Sequence, residues 1–251
     1  MIDKPFSRIW RPSHNNDGWS DLCEGYENDP RYIDEKEKSS LLSAARLIIR
    51  DLEELWDYIE PCDNHQDVYS HRIYELFLRT CTEFEANCKG ILLANNYIPN
   101  PITRNLNITD YKKLNEAMKL SEYKVTYRKW TGELRTIQPF LEWGNTTDTP
   151  LSWYQAYNHV KHNRYSNFHE ANIKNLLKAI NGLLCLLFAQ FTTSISIIGH
   201  GGICAVPIEL TEFDLEYFHI KVPQFSEEEQ YDFNWEVISS QPDAFNLLYE
   251  F

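Results

Sequence analysis

Apolar residues recur at every third or fourth position over four stretches of the chain, which is the spacing of helices that bury one face. The pattern predicts helices over residues 35–60, 67–95 and 173–191, and a further helix that begins at Ser152. From Gly182 onwards the last segment is apolar nearly all round, so we expect that helix at the centre of the protein. The pattern therefore predicts an all-α protein built on a four-helix bundle.

The segments around these helices follow other patterns. Residues 96–150 form an insertion that contains the run YKVTYRKW-TG-ELRTIQPF, in which β-branched and aromatic residues flank a Thr-Gly turn, and this predicts a β-hairpin. The basic hairpin is either a flap that contacts nucleic acid or simply a solvated hairpin. We expect an irregular N-terminal arm at residues 1–34, a helical bundle at 35–200 and an irregular, acidic C-terminal extension at 201–251 that packs on the bundle.

The charge is unevenly distributed along the chain. The formal net charge is −13, and residues 207–251 hold 11 acidic residues against one lysine. Residues 151–206 instead hold four basic residues and one acidic residue. A positive centre inside an acidic protein permits local anion binding, but a broad DNA-binding surface would require a basic face.

Cysteine usage and the absence of targeting patterns indicate a cytoplasmic protein. The six cysteines include no Cys-x-x-Cys pair, so the sequence suggests neither a zinc site nor a redox motif. Widely spread free cysteines fit a reducing compartment. No N-terminal stretch has the signature of a signal peptide, and the apolar run 182–191 is too short to span a bilayer. We therefore expect no membrane partner.

The densest group of polar residues lies in the helix that begins at Ser152. Ser152 and Gln155 have the spacing of a capping box, with Ser152 as the N-cap. At 100° per residue one arc of this helix is apolar and should face the core. His162 falls nearly opposite that arc, and Asn158 precedes it by one turn on the same side. The apolar arc contains Trp153, Ala156, Tyr157 and Val160, and the polar group contains Asn158, His159, Lys161, His162 and Arg164.

The run YNHVKHNR, followed after a polar step by ANIKNLLKAINGLLCLL, resembles the HEPN superfamily. The motif of that family is an arginine, a polar residue, three variable residues and a histidine. Asn158 and His162 match the polar residue and the histidine, whereas Tyr157 stands in the position of the arginine. Lys161 and Arg164 are the candidates to supply the missing positive charge.

The resemblance implies a metal-independent endoribonuclease of a toxin–antitoxin or phage-defence system. Its expected partners are RNA, a second copy of the chain in a homodimer, and a cognate antitoxin or defence protein. In such a reaction His162 would move the proton, Lys161 or Arg164 would stabilise charge on the phosphate, and Asn158 would orient the histidine or bind the phosphate. The alternative is a non-catalytic HEPN-like binding or scaffold protein, which the missing arginine favours.

Three further residues are expected to support this site, and no cofactor is expected. His159 and Tyr157 lie beside the motif, and Glu83 of the second helix is a carboxylate that a neighbouring helix could bring to His162 or Arg164. A metal site is not expected, because His159 and His162 diverge by about 60° around a helix of 3.6 residues per turn. No nearby aspartate or pair of glutamates completes a ligand set with these histidines and His169.

Overall fold

The computed structural model describes residues 1–13, 26–99, 105–147, 149–192, 195 and 212–251. Its four main helices correspond to the four apolar patterns. They are α1 (Glu35–Leu55), α2 (His71–Ala94), α5 (Ser152–His162) and α7 (Ile173–Phe191). Shorter helices are α3 (Ile108–Tyr111), α4 (Leu114–Met118), α6 (Arg164–Asn167) and α8 (Trp235–Ile238).

Helix α7 is the centre of the molecule, as its all-round apolar second half predicts. It packs against α1, α2 and α5, and every residue from Ala179 to Phe191 is buried. By length and composition α7 could cross a membrane, but 83% of its most apolar window is buried inside the protein. Burial of this kind is typical of the core helix of a globular domain.

The ends of the helices show where the prediction is exact and where it is wrong. Helix α1 starts at residue 35, as predicted, and Asp34 caps it, because its carboxylate accepts hydrogen bonds from the amides of Lys36 and Glu37. The capping box at Ser152 is wrong: Ser152 is the first helical residue and makes no cap hydrogen bond. Its hydroxyl instead donates to Glu142 (3.1 Å) and accepts from Lys178 (3.1 Å). These partners come from distant parts of the chain, which local spacing does not reveal.

The all-α class is wrong, because the protein contains a four-stranded antiparallel sheet. Helix accounts for 54% and strand for 10% of the structure, which is therefore mixed α/β. The strands are β1 (Lys124–Tyr127), β2 (Thr136–Ile137), β3 (Glu212–Leu215) and β4 (Phe218–Lys221), arranged in the order β2-β1-β4-β3.

The sheet joins the insertion to the C-terminal extension. The expected strands β1 and β2 pair, with Val125 opposite Ile137, but residues 128–135 connect them instead of a tight Thr-Gly turn. On the other edge of β1, Val125 also lies opposite Ile220 of β4. Alternate residues of the strands are buried, and Phe213 packs on Phe188 of α7 with ring centroids 5.2 Å apart. The hairpin is thus half of a sheet that covers the core.

Both termini pack on the same end of α7. The backbone amide of Trp10 donates to the carbonyl of Ala189 in the last turn of α7 (2.9 Å). Ile2 and Ser13 each form a parallel bridge with Tyr231 of the C-terminal extension. The arm and the extension therefore enclose the C-terminal end of the core helix. The expected boundary between bundle and extension, at residues 200 and 201, lies outside the described residues.

Candidate functional site

The polar face of α5 has the orientation that its periodicity predicts. All four residues of the apolar arc are buried, whereas His162 is exposed in the last turn and Asn158 is half-buried one turn earlier. Within the described part of the chain, the His162 side chain has no hydrogen-bond or ion-pair partner. An imidazole in this position is accessible to solvent and to a bound molecule.

Lys161 is held against the neighbouring aromatic residue. Its ammonium donates a hydrogen bond to the Tyr157 hydroxyl (2.9 Å) and lies 4.8 Å from the centre of the Tyr157 ring. The hydrogen bond to Tyr157 raises the pKa of Lys161, and partial burial opposes this change. Burial raises the pKa of Tyr157, and the hydrogen bond from Lys161 opposes it. Lys161 therefore stays charged, and Tyr157 stays protonated at neutral pH.

Glu85 of α2 is a nearly buried carboxylate that faces α5. It accepts a hydrogen bond from the Tyr154 hydroxyl (2.7 Å) and lies 3.8 Å from the Lys161 ammonium. Lys89, one turn further along α2, approaches its second oxygen at 3.6 Å. Only 15% of the Glu85 side chain is exposed, so the two ammonium groups and the phenol compensate most of its lost hydration. The hydrogen bond to Tyr157 positions the Lys161 ammonium, and Glu85 adds a longer electrostatic contact.

Glu83 does not have the role that the sequence suggested. No hydrogen bond or ion pair joins it to α5 within the described residues, and the charged group that acts on it is Arg79. Burial raises the pKa of Glu83, and Arg79 opposes that change. Residues two apart on a helix point in directions about 160° apart. The face of α2 that carries Glu85 therefore meets α5, and the face that carries Glu83 turns away from it.

Arg164 and His159 are also engaged with residues of their own chain. The Arg164 guanidinium lies 5.5 Å from the centre of the Tyr74 ring of α2, within the range of a cation–π contact. The Nδ1 atom of His159 lies 2.9 Å from one carboxylate oxygen of Glu170 and 3.2 Å from the other. Tyr165, next to Arg164, is 98% exposed. The motif therefore combines an unengaged histidine with three anchored groups.

The histidines of the motif do not form a metal site in this structure. Across the described ranges, no three His, Cys, Asp or Glu side chains are grouped so that they could hold a metal ion. His159 is instead paired with Glu170, and His162 points to solvent. The arrangement is suited to proton transfer by His162 beside the positive charges of Lys161 and Arg164, which is a combination that can act on a phosphodiester.

Comparison of the chain with models of protein families, with curated proteins and with solved structures finds no match. Interpretation of the site therefore depends on its geometry and on the resemblance of the motif in α5.

Proposed function

We propose that this protein is a metal-independent endoribonuclease in which His162 is the proton-transferring group. The observation that supports the proposal best is the exposed His162 side chain, which has no partner in the described part of the chain. It follows Lys161, whose ammonium is hydrogen-bonded to Tyr157. Asn158 lies one turn before His162 on the same face of α5. Asn158 and His162 are the two residues that match the HEPN motif.

The proposed reaction is attack of a ribose 2′-hydroxyl on the adjacent phosphate. His162 accepts the proton of the hydroxyl and can return one to the departing 5′-oxygen. Lys161 and Arg164 stabilise the negative charge that develops on the phosphate. Because Lys161 is hydrogen-bonded to Tyr157 and lies near Glu85, its charge is in place before the substrate binds. Asn158 orients the imidazole or donates a hydrogen bond to a phosphate oxygen.

The proposed biological setting follows from the resemblance. It includes a cytoplasmic toxin or defence role, a cognate antitoxin or defence partner, and a homodimer in which two α5 helices face one cleft. The helices α1, α2, α5 and α7 retain a four-helix arrangement, although the sheet departs from an all-α fold. The exposed face of α5 is compatible with apposition of a second copy.

A second candidate function is a non-catalytic binding or scaffold protein. The observation in its favour is that three of the motif's polar side chains already bind groups of the same chain. Lys161 contacts Tyr157 and Glu85, Arg164 stacks on Tyr74, and His159 pairs with Glu170. In this alternative the cluster ties α5 and α6 to α2, and His162 contacts a partner protein.

The substitution His162→Ala distinguishes these functions. We expect the wild-type protein to cleave RNA in the presence of EDTA and to leave 2′,3′-cyclic or 3′-phosphate ends. The variant should lose cleavage while its melting temperature stays nearly unchanged, because an exposed side chain contributes little packing. His169→Ala is the matched control, since His169 is exposed but lies outside α5. Cleavage that strictly requires an added divalent metal, or unfolding of the His162 variant, would contradict the proposal.

A further inference from the structure

A groove of about 690 Å³ lies between α1 and α2, outside the motif of α5. Its volume is in the range of sites that bind small molecules. Arginines from both helices line it, with leucines at its base and the 87% exposed Tyr58 at its edge. The lining side chains include Arg50, Arg72, Arg79, Leu55, Leu76 and Tyr58.

Two of the three guanidinium groups have unused hydrogen-bond donors. Arg79 donates to Asp51 across the groove. Arg50 approaches Asp51 and Glu54 only to 3.7 and 3.9 Å, and Arg72 approaches Glu75 only to 3.9 Å. These distances exceed a hydrogen bond. Within the described residues, the side chains of Arg50 and Arg72 therefore donate no hydrogen bond, and they are 59% and 86% exposed.

The charge balance limits the ligand that fits this groove. Three carboxylates, those of Asp51, Glu54 and Glu75, accompany the three guanidinium groups. The groove is neutral overall, so it does not suit a duplex, which requires a continuous positive track. It suits one or two phosphates bound by Arg50 and Arg72, with additional binding from a flat ring on Tyr58.

The groove lies on the opposite side of α2 from the motif. Arg72 of the first turn of α2 lines the groove, whereas Tyr74, two residues later, contacts Arg164. The distance across the helix is therefore about 10 Å, the width of one helix. His71 and Arg72, the first two residues of α2, are both exposed. One extended strand can therefore reach both.

We propose that the α1–α2 groove binds one nucleotide unit of a single RNA strand, with its phosphate on Arg50 and Arg72 and its base on Tyr58. In this proposal another part of the same strand is cleaved at His162, and that step rests on the proposed function. The recognition chemistry itself requires only a phosphate joined to a base. A free nucleotide and an RNA strand both provide these groups, and the experiment separates them.

The test measures binding rather than cleavage. A short fluorescein-labelled single-stranded RNA is titrated with the His162→Ala protein and with the same protein carrying Arg50→Ala and Arg72→Ala. We expect the double substitution to reduce the slope of log affinity against log salt by about 0.7, because the contact with one phosphate of a single strand is lost. Tyr58→Ala should weaken binding about tenfold, as the loss of a stacked base does.

Arg46→Ala is the matched control, because Arg46 is exposed on α1 but does not line the groove. Equal affinity and salt dependence in the Arg46 variant and the double variant would overturn the proposal. Adenosine monophosphate serves as the competitor. Displacement of RNA by the nucleotide would support binding of a nucleotide unit in the groove. Binding of the nucleotide without any binding of RNA would contradict the proposal that the groove holds part of an RNA strand.

The outcomes for the groove and for the proposed function are separable. If the wild-type protein cleaves RNA and the groove variants bind RNA as the control does, the groove assignment is wrong and the ribonuclease proposal stands. If the groove variants lose RNA binding and the wild-type protein cleaves no RNA, the groove assignment stands and the ribonuclease proposal is wrong.

Discussion

The two ends of the helical core use the same types of polar residue in opposite ways. At the C-terminal end of α7 both chain termini cover the helix, and the polar groups there are buried and bound to each other. At the opposite end, where α5 finishes and α2 begins, arginines and histidines are exposed. Residue type alone therefore does not identify a binding site. A polar side chain is available to a ligand only where the chain itself leaves its hydrogen bonds unmade.

Arg8 is the clearest example at the covered end. Its guanidinium donates to Gln190 from two nitrogens (2.9 and 3.1 Å) and to Glu37 (2.7 Å), and only 4% of the side chain is exposed. The Gln190 amide in turn donates to Asn87 (3.0 Å). Arg8 also has a φ of 59°, a conformation that non-glycine residues rarely adopt. The surrounding hydrogen bonds hold this backbone in place.

Arg72 and His162 represent the open end. The Arg72 side chain is 86% exposed, and its nearest carboxylate is 3.9 Å away. His162 is exposed at the end of α5. These side chains contribute little to the free energy of unfolding, because exposed ion pairs and solvated side chains are worth roughly 0–1 kcal/mol. Their chemical groups remain available to a ligand.

The largest predicted effect is at the covered end. The substitution Arg8→Met should lower the free energy of unfolding by about 3 kcal/mol, because it leaves the buried Gln190 oxygen without its donor and breaks the pair with Glu37. Chemical denaturation measures the change. Any activity on RNA should persist below the lowered melting temperature, since the hydrogen bonds of the Arg8 side chain go to Gln190 and Glu37 and not to α5.

Arg46→Met is the control for Arg8, because Arg46 is an exposed arginine on α1. It should change the free energy of unfolding by less than about 0.5 kcal/mol. A similar loss of stability in the two variants would contradict the contrast between buried and exposed arginines.

The second prediction concerns the pH dependence of the C-terminal extension. Partial burial raises the pKa of Glu229, but hydrogen bonds from Lys119 and Ser226 outweigh it and lower the pKa from 4.5 to about 2. A carboxyl whose pKa is lower in the folded state stabilises the fold above its unfolded pKa. This stabilisation is fully present above pH 4.5 and is lost as the pH falls towards 2.

Glu229→Gln should therefore reduce the acid sensitivity of the protein. Because about a third of the Glu229 side chain is exposed, the expected contribution at neutral pH is only about 1 kcal/mol. Denaturation at several pH values measures it. Glu228→Gln, an exposed neighbour, is the control and should leave the pH profile unchanged. A wild-type profile that is flat between pH 4.5 and 2 would contradict the prediction.

The sequence predicted the helices because each buries a single continuous face. The start of α1 at residue 35 and the burial of Trp153 and Val160 follow directly from local spacing. The four-stranded sheet could not be predicted in this way, because β1 pairs with β4, which lies far along the chain and contains only four residues. A pairing of that kind depends on how the core helices place the two segments, which local periodicity does not encode.

The candidate site was predictable to a similar degree. The exposure of His162 and the partial exposure of Asn158 follow from the period of α5. The sequence did not indicate that Glu85, and not Glu83, faces α5, because this depends on which face of α2 meets α5. Tyr74, Cys81 and Glu85 recur on one side of α2, and this spacing was the available signal. It becomes informative only when the partner helix is known.

The smallest predicted change in stability is at Lys161, which is neither fully buried like Arg8 nor fully solvated like Arg72. Lys161 binds Tyr157 and approaches Glu85, yet 45% of its side chain is exposed. We expect Lys161→Met to change the free energy of unfolding by less than about 0.5 kcal/mol, because the pair is partly solvated and methionine can still pack on the Tyr157 ring. RNA affinity or cleavage should fall in this variant.

Lys89→Met is a closely matched control for Lys161→Met. Lys89 approaches the same carboxylate, Glu85, and its side chain is 43% exposed, but it lies on α2 and outside the motif. The two variants should have similar stabilities, and only the Lys161 variant should lose action on RNA. If Lys161→Met instead costs more than about 1.5 kcal/mol while Lys89→Met does not, then Lys161 resembles Arg8 at the covered end. Its charge would then hold α5 on α2, and the binding or scaffold function would be the better explanation of the motif.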